Sequence, residues 1–132
     1  MLSRLDMDEL VSEVAKEIHY YFDIDDISIV LRSHRKNKLN IYSTHYLDKQ
    51  HPAHEQSEVD EAGTLTERVF KSKEMLLLNL HEHDPLAPYE KMLFEIWDNK
   101  IQTLCLLPLM SGNTLLGVLK LAQCDEKVFT TT

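Results

Sequence analysis

The chain has 132 residues, 43% hydrophobic and 27% charged, the length and composition of one globular domain able to bury a core. Fourteen Lys and Arg against 22 Asp and Glu leave a net charge of −8, which excludes general attraction to nucleic acid or to an anionic membrane as the role of this segment. No apolar run approaches the roughly 20 residues of a membrane span, and Arg4, Asp6, Asp8 and Glu9 argue against a signal peptide, so the expected compartment is the cytoplasm.

Asp6-x-x-Glu9 reads as a capping box, followed by Leu10, Val11, Val14, Ala15, Ile18, Tyr21 and Phe22 at three- and four-residue spacing. This predicts an amphipathic helix ended by Asp23 and Asp25-Asp26. Ile27 to Leu31 is a β-branched run and the first predicted strand, and Leu39 to Tyr46 is the second, joined to it by a short basic turn containing Asn37. Asp48 to Gly63 shows no period, contains Pro52, Glu55, Glu58, Asp60 and Glu61, and is expected to be a solvated loop of the length that lids have.

Thr64-Leu65-Thr66-Glu67 is a second capping box, opening a short helix that buries Leu65, Val69 and Phe70 and ends near Ser72. Met75 to Leu80 is a brief third strand, and Asp84 to Pro88 a loop. Tyr89, Met92, Leu93, Ile96 and Trp97 then form the apolar stripe of another helix. Ile101 to Met110 and Thr114 to Ala122 flank Ser111-Gly112-Asn113 and predict a β-hairpin, the fourth and fifth strands. Both runs are nearly continuous in Leu and Val, so this hairpin should lie inside the sheet with both faces covered. Gly117 marks a close approach of another backbone or helix. The tail from Asp125 to Thr132 is polar. The class is α+β around an antiparallel sheet.

Metal and nucleophile readings are weak. His51-x-x-His54 and His81-x-His83 fall in predicted loops without a partner cysteine, so polar loops are preferred to a metal site. Cys105 and Cys124 are too far apart for ligand spacing and would not sit opposite each other in the hairpin, so both read as free thiols, with Cys105 in the core. No G-x-x-x-x-G-K-[ST] loop is present, so ATP binding by this segment is not expected.

The run from Leu107 to Leu121, LPLMSGNTLLGVLKL, resembles the signature hairpin of GAF domains, where a P-L, a Gly turn and a G-V-L precede the final helix. Across Leu2 to Thr132 the sequence is similar to GAF domains of sigma-54-dependent bacterial activators of formate metabolism. The resemblance implies one GAF domain over residues 1–132 of a larger regulator, whose other domains include an AAA+ ATPase and a helix-turn-helix. It implies a five- or six-stranded antiparallel sheet with the predicted strands in the order 2-1-5-4-3, helices on both faces, and a C-terminal helix truncated at Phe129 to Thr132. It implies no catalysis and no cofactor. A small effector such as formate, the neighbouring domains, and a second copy of the chain are the implied partners. The motif of cyclic-nucleotide GAF domains has no counterpart near Cys124 to Lys127, and no cysteine suits a covalent tetrapyrrole. The GAF branch that reduces free methionine sulfoxide uses several cysteines, which Cys105 and Cys124 do not match.

In such a fold small ligands lie on the face opposite the first helix. Ile29 and Leu31 share one face of the first strand with Leu119 and Leu121 of the last. Ser28, Val30 and Arg32 share the other with Val118, Lys120 and Ala122. Arg32 and Lys120 are therefore expected on the ligand face, joined by Thr44 or Tyr42, in a small positive pocket for a carboxylate beneath the 48–63 loop. Arg32 would bind bidentately and Lys120 as a point charge. The alternative is that both cations pair with acids of residues 55–61. A ligand-free dimerisation or interdomain module is the competing function.

Overall fold

The computed structural model describes residues 4–48, 50–79, 86–98 and 100–124, with side chains from Met7 onward. Its elements run α1 (Arg4–Phe22), β1 (Asp26–Arg32), β2 (Lys38–His45), β3 (Ala53–Asp60), α2 (Leu65–Ser72), β4 (Leu76–Asn79), α3 (Pro88–Ile96), β5 (Thr103–Ser111) and β6 (Thr114–Gln123). The sheet has six antiparallel strands in the order β3-β2-β1-β6-β5-β4, so the β5–β6 hairpin is internal, as its two apolar faces require.

The expected order differs by one strand. Residues 53–60, read as loop, pair with β2 along its whole length, from Lys38↔Asp60 to His45↔Ala53. The strand was missed because apolar periodicity is nearly absent from AHEQSEVD; only Ser57 and Val59 are half-buried while the other six positions are exposed. Ion pairs hold it instead: Arg35 with Glu58, Lys38 with Asp60, and Arg32 with Glu61 just beyond its end. The described residues of 48–63 consequently form no lid over the sheet.

α2 and α3 cover one face of the sheet, here the front, and α1 covers the back. The front core joins Val30, Ile41, Leu104, Leu106 and Val118 of the strands to Leu65, Val69 and Phe70 of α2 and Leu93 of α3. The back core joins Ala15 of α1 to Ile24, Ile27, Tyr46, Cys105 and Leu121. Thr64 caps α2, accepting from Glu67 N at 3.1 Å, and Lys73 ends it in the left-handed region at φ 59°. α1 is already helical at Arg4, so Asp6 lies inside the helix and is not its cap. In α3 the expected stripe faces inward at Leu93 and Trp97, with Tyr89 and Ile96 half-buried against the front core, while Met92 is 57% exposed and Glu90 is buried in addition. Of the loop read at 84–88, residues 84 and 85 fall outside the described residues, Leu86 and Ala87 are irregular and Pro88 already opens α3; the tail from residue 125, with its proposed truncated helix, falls wholly outside them.

Gly112, at φ 60°, supplies the positive φ of a two-residue turn between Ser111 and Thr114. Gly117 is a packing requirement. A Cβ there would stand 2.6 Å from Leu31 Cδ2 and 2.7 Å from the Val30 carbonyl oxygen, and the second of these is backbone that cannot swing away. Gly117→Ala is expected to cost about 1–3 kcal/mol, the range for overpacking, read as a lower urea midpoint at unchanged m. An unchanged midpoint would show that β1 and β6 can separate freely.

Candidate functional site

The middle of the front face is polar, although it is buried. The register sets Ser43, Ser28 and Lys120 in one row across β2, β1 and β6, and His45, Asp26 and Ala122 in the next. Asp26, Ser28, His45 and Lys120 are each no more than 5% exposed. Apolar neighbours Val30, Ile41, Leu104, Leu106 and Val118 bound this island, so its charged groups must find partners within it.

Asp26 is one centre. Its Oδ2 accepts from Trp97 Nε1 at 2.6 Å and from His45 Nδ1 in a short contact. His45 Nε2 lies 3.5 Å from Glu55 Oε2. Burial alone would lower the His45 pKa, but the hydrogen bond and charge of Asp26, with Glu55 beyond, hold it above the ordinary histidine value. Trp97 is the C-cap residue of α3, so one carboxylate ties β1, β2 and the helix end together.

Lys120 is the other centre. Its Nζ donates to the Tyr89 hydroxyl and lies 3.7 Å from the centroid of that ring. Burial lowers its pKa to about 8, and the carboxylates of Glu90 and Asp26 limit the fall, so it remains mostly protonated at neutral pH. The Tyr89 hydroxyl is pushed well upward by burial and by Asp26 and stays neutral. Tyr89 and Glu90 both come from the first turn of α3, where Pro88 fixes the start. Glu90 Oε1 accepts from Leu65 N at 2.6 Å, joining α3 to the N-terminus of α2. Its other oxygen, Oε2, and the Thr66 hydroxyl are buried without a hydrogen-bond partner among the described residues.

The expected site residues separate on this framework. Lys120 is on the front face as parity required. Arg32 shares the face but is four residues beyond Ser28, the partner of Lys120, which puts it roughly 13 Å away along the strand. It lies 59% exposed over Phe70 and donates to Glu61 Oε1 at 3.0 Å, the ion-pair alternative. The two cations therefore cannot clamp one small anion. Tyr42 pairs with Ile29 and Thr44 with Ile27, which turns both side chains to the back. Thr44 Oγ1 lies 3.1 Å from His54 Nδ1, and Tyr42 floors a separate groove of about 560 Å³ against α1. The front site is also not simply positive, since Asp26 and Glu90 accompany Lys120. Asp26, His45, Tyr89 and Trp97 were missed because each had a structural reading, as helix terminator, strand residue or helix stripe, and Glu90 because it lies beside that stripe and carried no reading. The one available signal was that Asp26 has the same strand parity as Ser28.

No helix among the described residues is long and apolar enough to cross a membrane. The chain is 91% identical over all 132 residues to the "Formate hydrogenlyase transcriptional activator FhlA" of Escherichia coli K12, of which it covers 19%. It is 86% identical over 131 residues to the formate hydrogenlyase transcriptional activator of Salmonella typhimurium, again covering 19% of it. The chain thus spans about a fifth of the length of these curated relatives. Among solved structures, the GAF domain of a two-component sensor histidine kinase from Bacillus halodurans matches with a TM-score of 0.68 at 17% identity, over 94% of this chain and 80% of that one. The sequence profile of the GAF domain matches residues 6–132, and this chain belongs to the GAF domain family.

Proposed function

We propose that residues 1–132 form one regulatory, non-catalytic GAF domain of a cytoplasmic sigma-54-dependent activator of formate metabolism. Its occupancy by a small carboxylate, formate in the first instance, biases a downstream AAA+ ATPase. The relatives' names support the setting. The observation that carries the ligand reading is Lys120, a lysine 1% exposed on the face between sheet and α3, with Tyr89 as its only hydrogen-bond partner among the described residues. An ammonium has three donors, and a fully buried one is costly unless they are used. A carboxylate can take the donors left over or displace the Tyr89 hydroxyl. In either case it touches the first turn of α3, the element that a change of occupancy would move. An effector shifts such an equilibrium only through contacts that differ between the two states, and Tyr89 supplies one.

Formate has three heavy atoms, so at a ceiling of about 1.5 kcal/mol per atom its Kd is near millimolar. At roughly fifty times that concentration the folded state gains about 2 kcal/mol, a Tm rise of several degrees. The test is thermal unfolding in sodium formate against equal sodium chloride. A rise confined to formate is expected, and identical curves at tens of millimolar would move sensing to another part of the regulator.

One observation favours a second role. Leu10, Tyr20, Tyr21 and Phe22 on α1 are 47–79% exposed, an apolar surface that a second copy or a neighbouring domain would bury. Sedimentation equilibrium should show a reversible dimer that Tyr21→Glu weakens at least tenfold. A monomer at high concentration would remove the homodimer.

A further inference from the structure

On the back of the sheet, independently of the effector reading, the geometry points to a site for a linear aliphatic polyamine in the groove between α1 and the β2–β3 edge. The groove has a volume of about 560 Å³, within the range of small-molecule sites. Asp8, Glu9 and Glu13 line it from α1 and Glu55 from β3, while Val11 and Tyr42 add buried apolar surface, and no Lys or Arg lines it. Two features distinguish the helix acids from an ordinary solvated face. α1 is already helical at Arg4, so all three lie beyond its first turn, where the helix dipole no longer favours negative charge. Glu9 and Glu13 are moreover a like-charged i, i+4 pair, which opposes the helix, and none of the three acids has an ion-pair partner among the described residues. The independent observation is Tyr42, whose pairing with Ile29 turns it to this face. It is 8% exposed and lines the groove, and its hydroxyl makes no hydrogen bond among the described residues. A tyrosine hydroxyl so placed ordinarily has a partner.

These features select among cations. No three His, Cys, Asp or Glu side chains among the described residues converge as the ligands of a metal ion do, so the groove does not fit a chelated ion. Glu9 and Glu13 are one turn apart, about 6 Å along the helix axis, so their charge is spread along the groove and not focused on a point. Two ammonium groups joined by a short methylene chain match that spread. The methylenes then lie on Val11 and the Tyr42 ring, and an N–H reaches the Tyr42 hydroxyl oxygen, which accepts it. Glu55 Oε2 already lies 3.5 Å from His45 Nε2, so the helix acids are the principal anchors.

Spermidine is the probe, titrated at constant ionic strength into the isotopically labelled chain and followed by amide chemical shifts. Saturable shifts at Val11, Tyr42 and His54 are expected, with one spermidine bound per chain. Glu9→Gln with Glu13→Gln should weaken binding about fivefold, since two exposed ion pairs are lost, and Tyr42→Phe should weaken it by a similar factor, since the hydroxyl acceptor is gone. Glu74→Gln with Glu95→Gln removes the same charge from exposed positions elsewhere and should change it by less than about twofold. Equal weakening in the two double variants, or shifts that never saturate, would mean diffuse attraction to a chain of net charge −8 and would overturn the inference. Magnesium chloride that produces the same shifts at equal ionic strength overturns it as well. A lysine-rich peptide that binds the same residues more tightly than spermidine assigns the groove to a polypeptide partner and likewise overturns it. Formate enters none of these titrations, so the effector reading stands or falls separately.

Discussion

Asp26→Ala should lower the stability of the domain by about 3–5 kcal/mol, the cost of removing one member of a buried, hydrogen-bonded charged pair. The substitution takes away the acceptor of Trp97 Nε1 and His45 Nδ1 at once, leaving two buried donors unsatisfied and a cavity beneath the end of α3. Against a typical total of roughly 5–15 kcal/mol this is a large share, and the Tm should fall by about 10–20 °C. The linkage has a definite sign. The folded-state pKa of His45 is raised, so the stability it contributes through Asp26 is fully present below the ordinary histidine value and is lost as pH rises through the folded value. The gap between the unsubstituted chain and Asp26→Ala should therefore be wider at pH 6 than at pH 8. Urea unfolding at the two pH values measures this. A loss under 1 kcal/mol, or a gap wider at pH 8, would mean that the Asp26 contacts do not hold the fold.

Lys120→Met should abolish the formate response and also destabilise. Without the ammonium, Glu90 and Asp26, the two carboxylates that act on it, lose their counter-charge from β6, at a cost of a few kcal/mol. The double substitution Lys120→Met with Glu90→Gln removes that conflict and should recover most of the lost stability, because an apolar side chain of similar length fills the place of a buried ion. It should not recover the formate-dependent rise in Tm. Stability and response thus separate in one pair of variants. If the double variant is stable and still responds, Lys120 is a structural residue and the anion binds elsewhere. Arg32→Ala, by contrast, removes a largely exposed ion pair of about 0–1 kcal/mol and should leave the formate response intact.

Where burial wrote a hydrophobic period into the chain, the fold could be read from it. The Leu and Val runs on either side of Gly112 predict an internal hairpin, Gly117 predicts a close approach, and Thr64 with Glu67 predicts the start of α2. β3 was not legible because it is an edge strand held by charge pairs to the β1–β2 hairpin, and ion pairing leaves no period of two in apolar residues. Strand parity correctly placed Lys120 on the front face but could not exclude Tyr42 and Thr44, since the face of β2 depends on its register with β1. It also gave Arg32 and Lys120 a common face without giving their separation along the strands. Glu90 and Trp97 were hidden for a different reason. Side chains on a short helix meet a sheet only through tertiary packing, and neither their spacing nor their chemistry foretells a partner 25 or 71 residues away.

The most direct measurement is an intermolecular nuclear Overhauser experiment on the isotopically labelled chain in saturating sodium formate, which locates the single C–H proton of the ligand. Cross-peaks to the Tyr89 ring and to the Leu65 amide proton are the predicted result, with the Trp97 indole N–H shifting along the same titration. Cross-peaks instead to Val11, Tyr42 or His54 would place the anion in the groove between α1 and the β2–β3 edge, and the account of Lys120 as its anchor would be wrong.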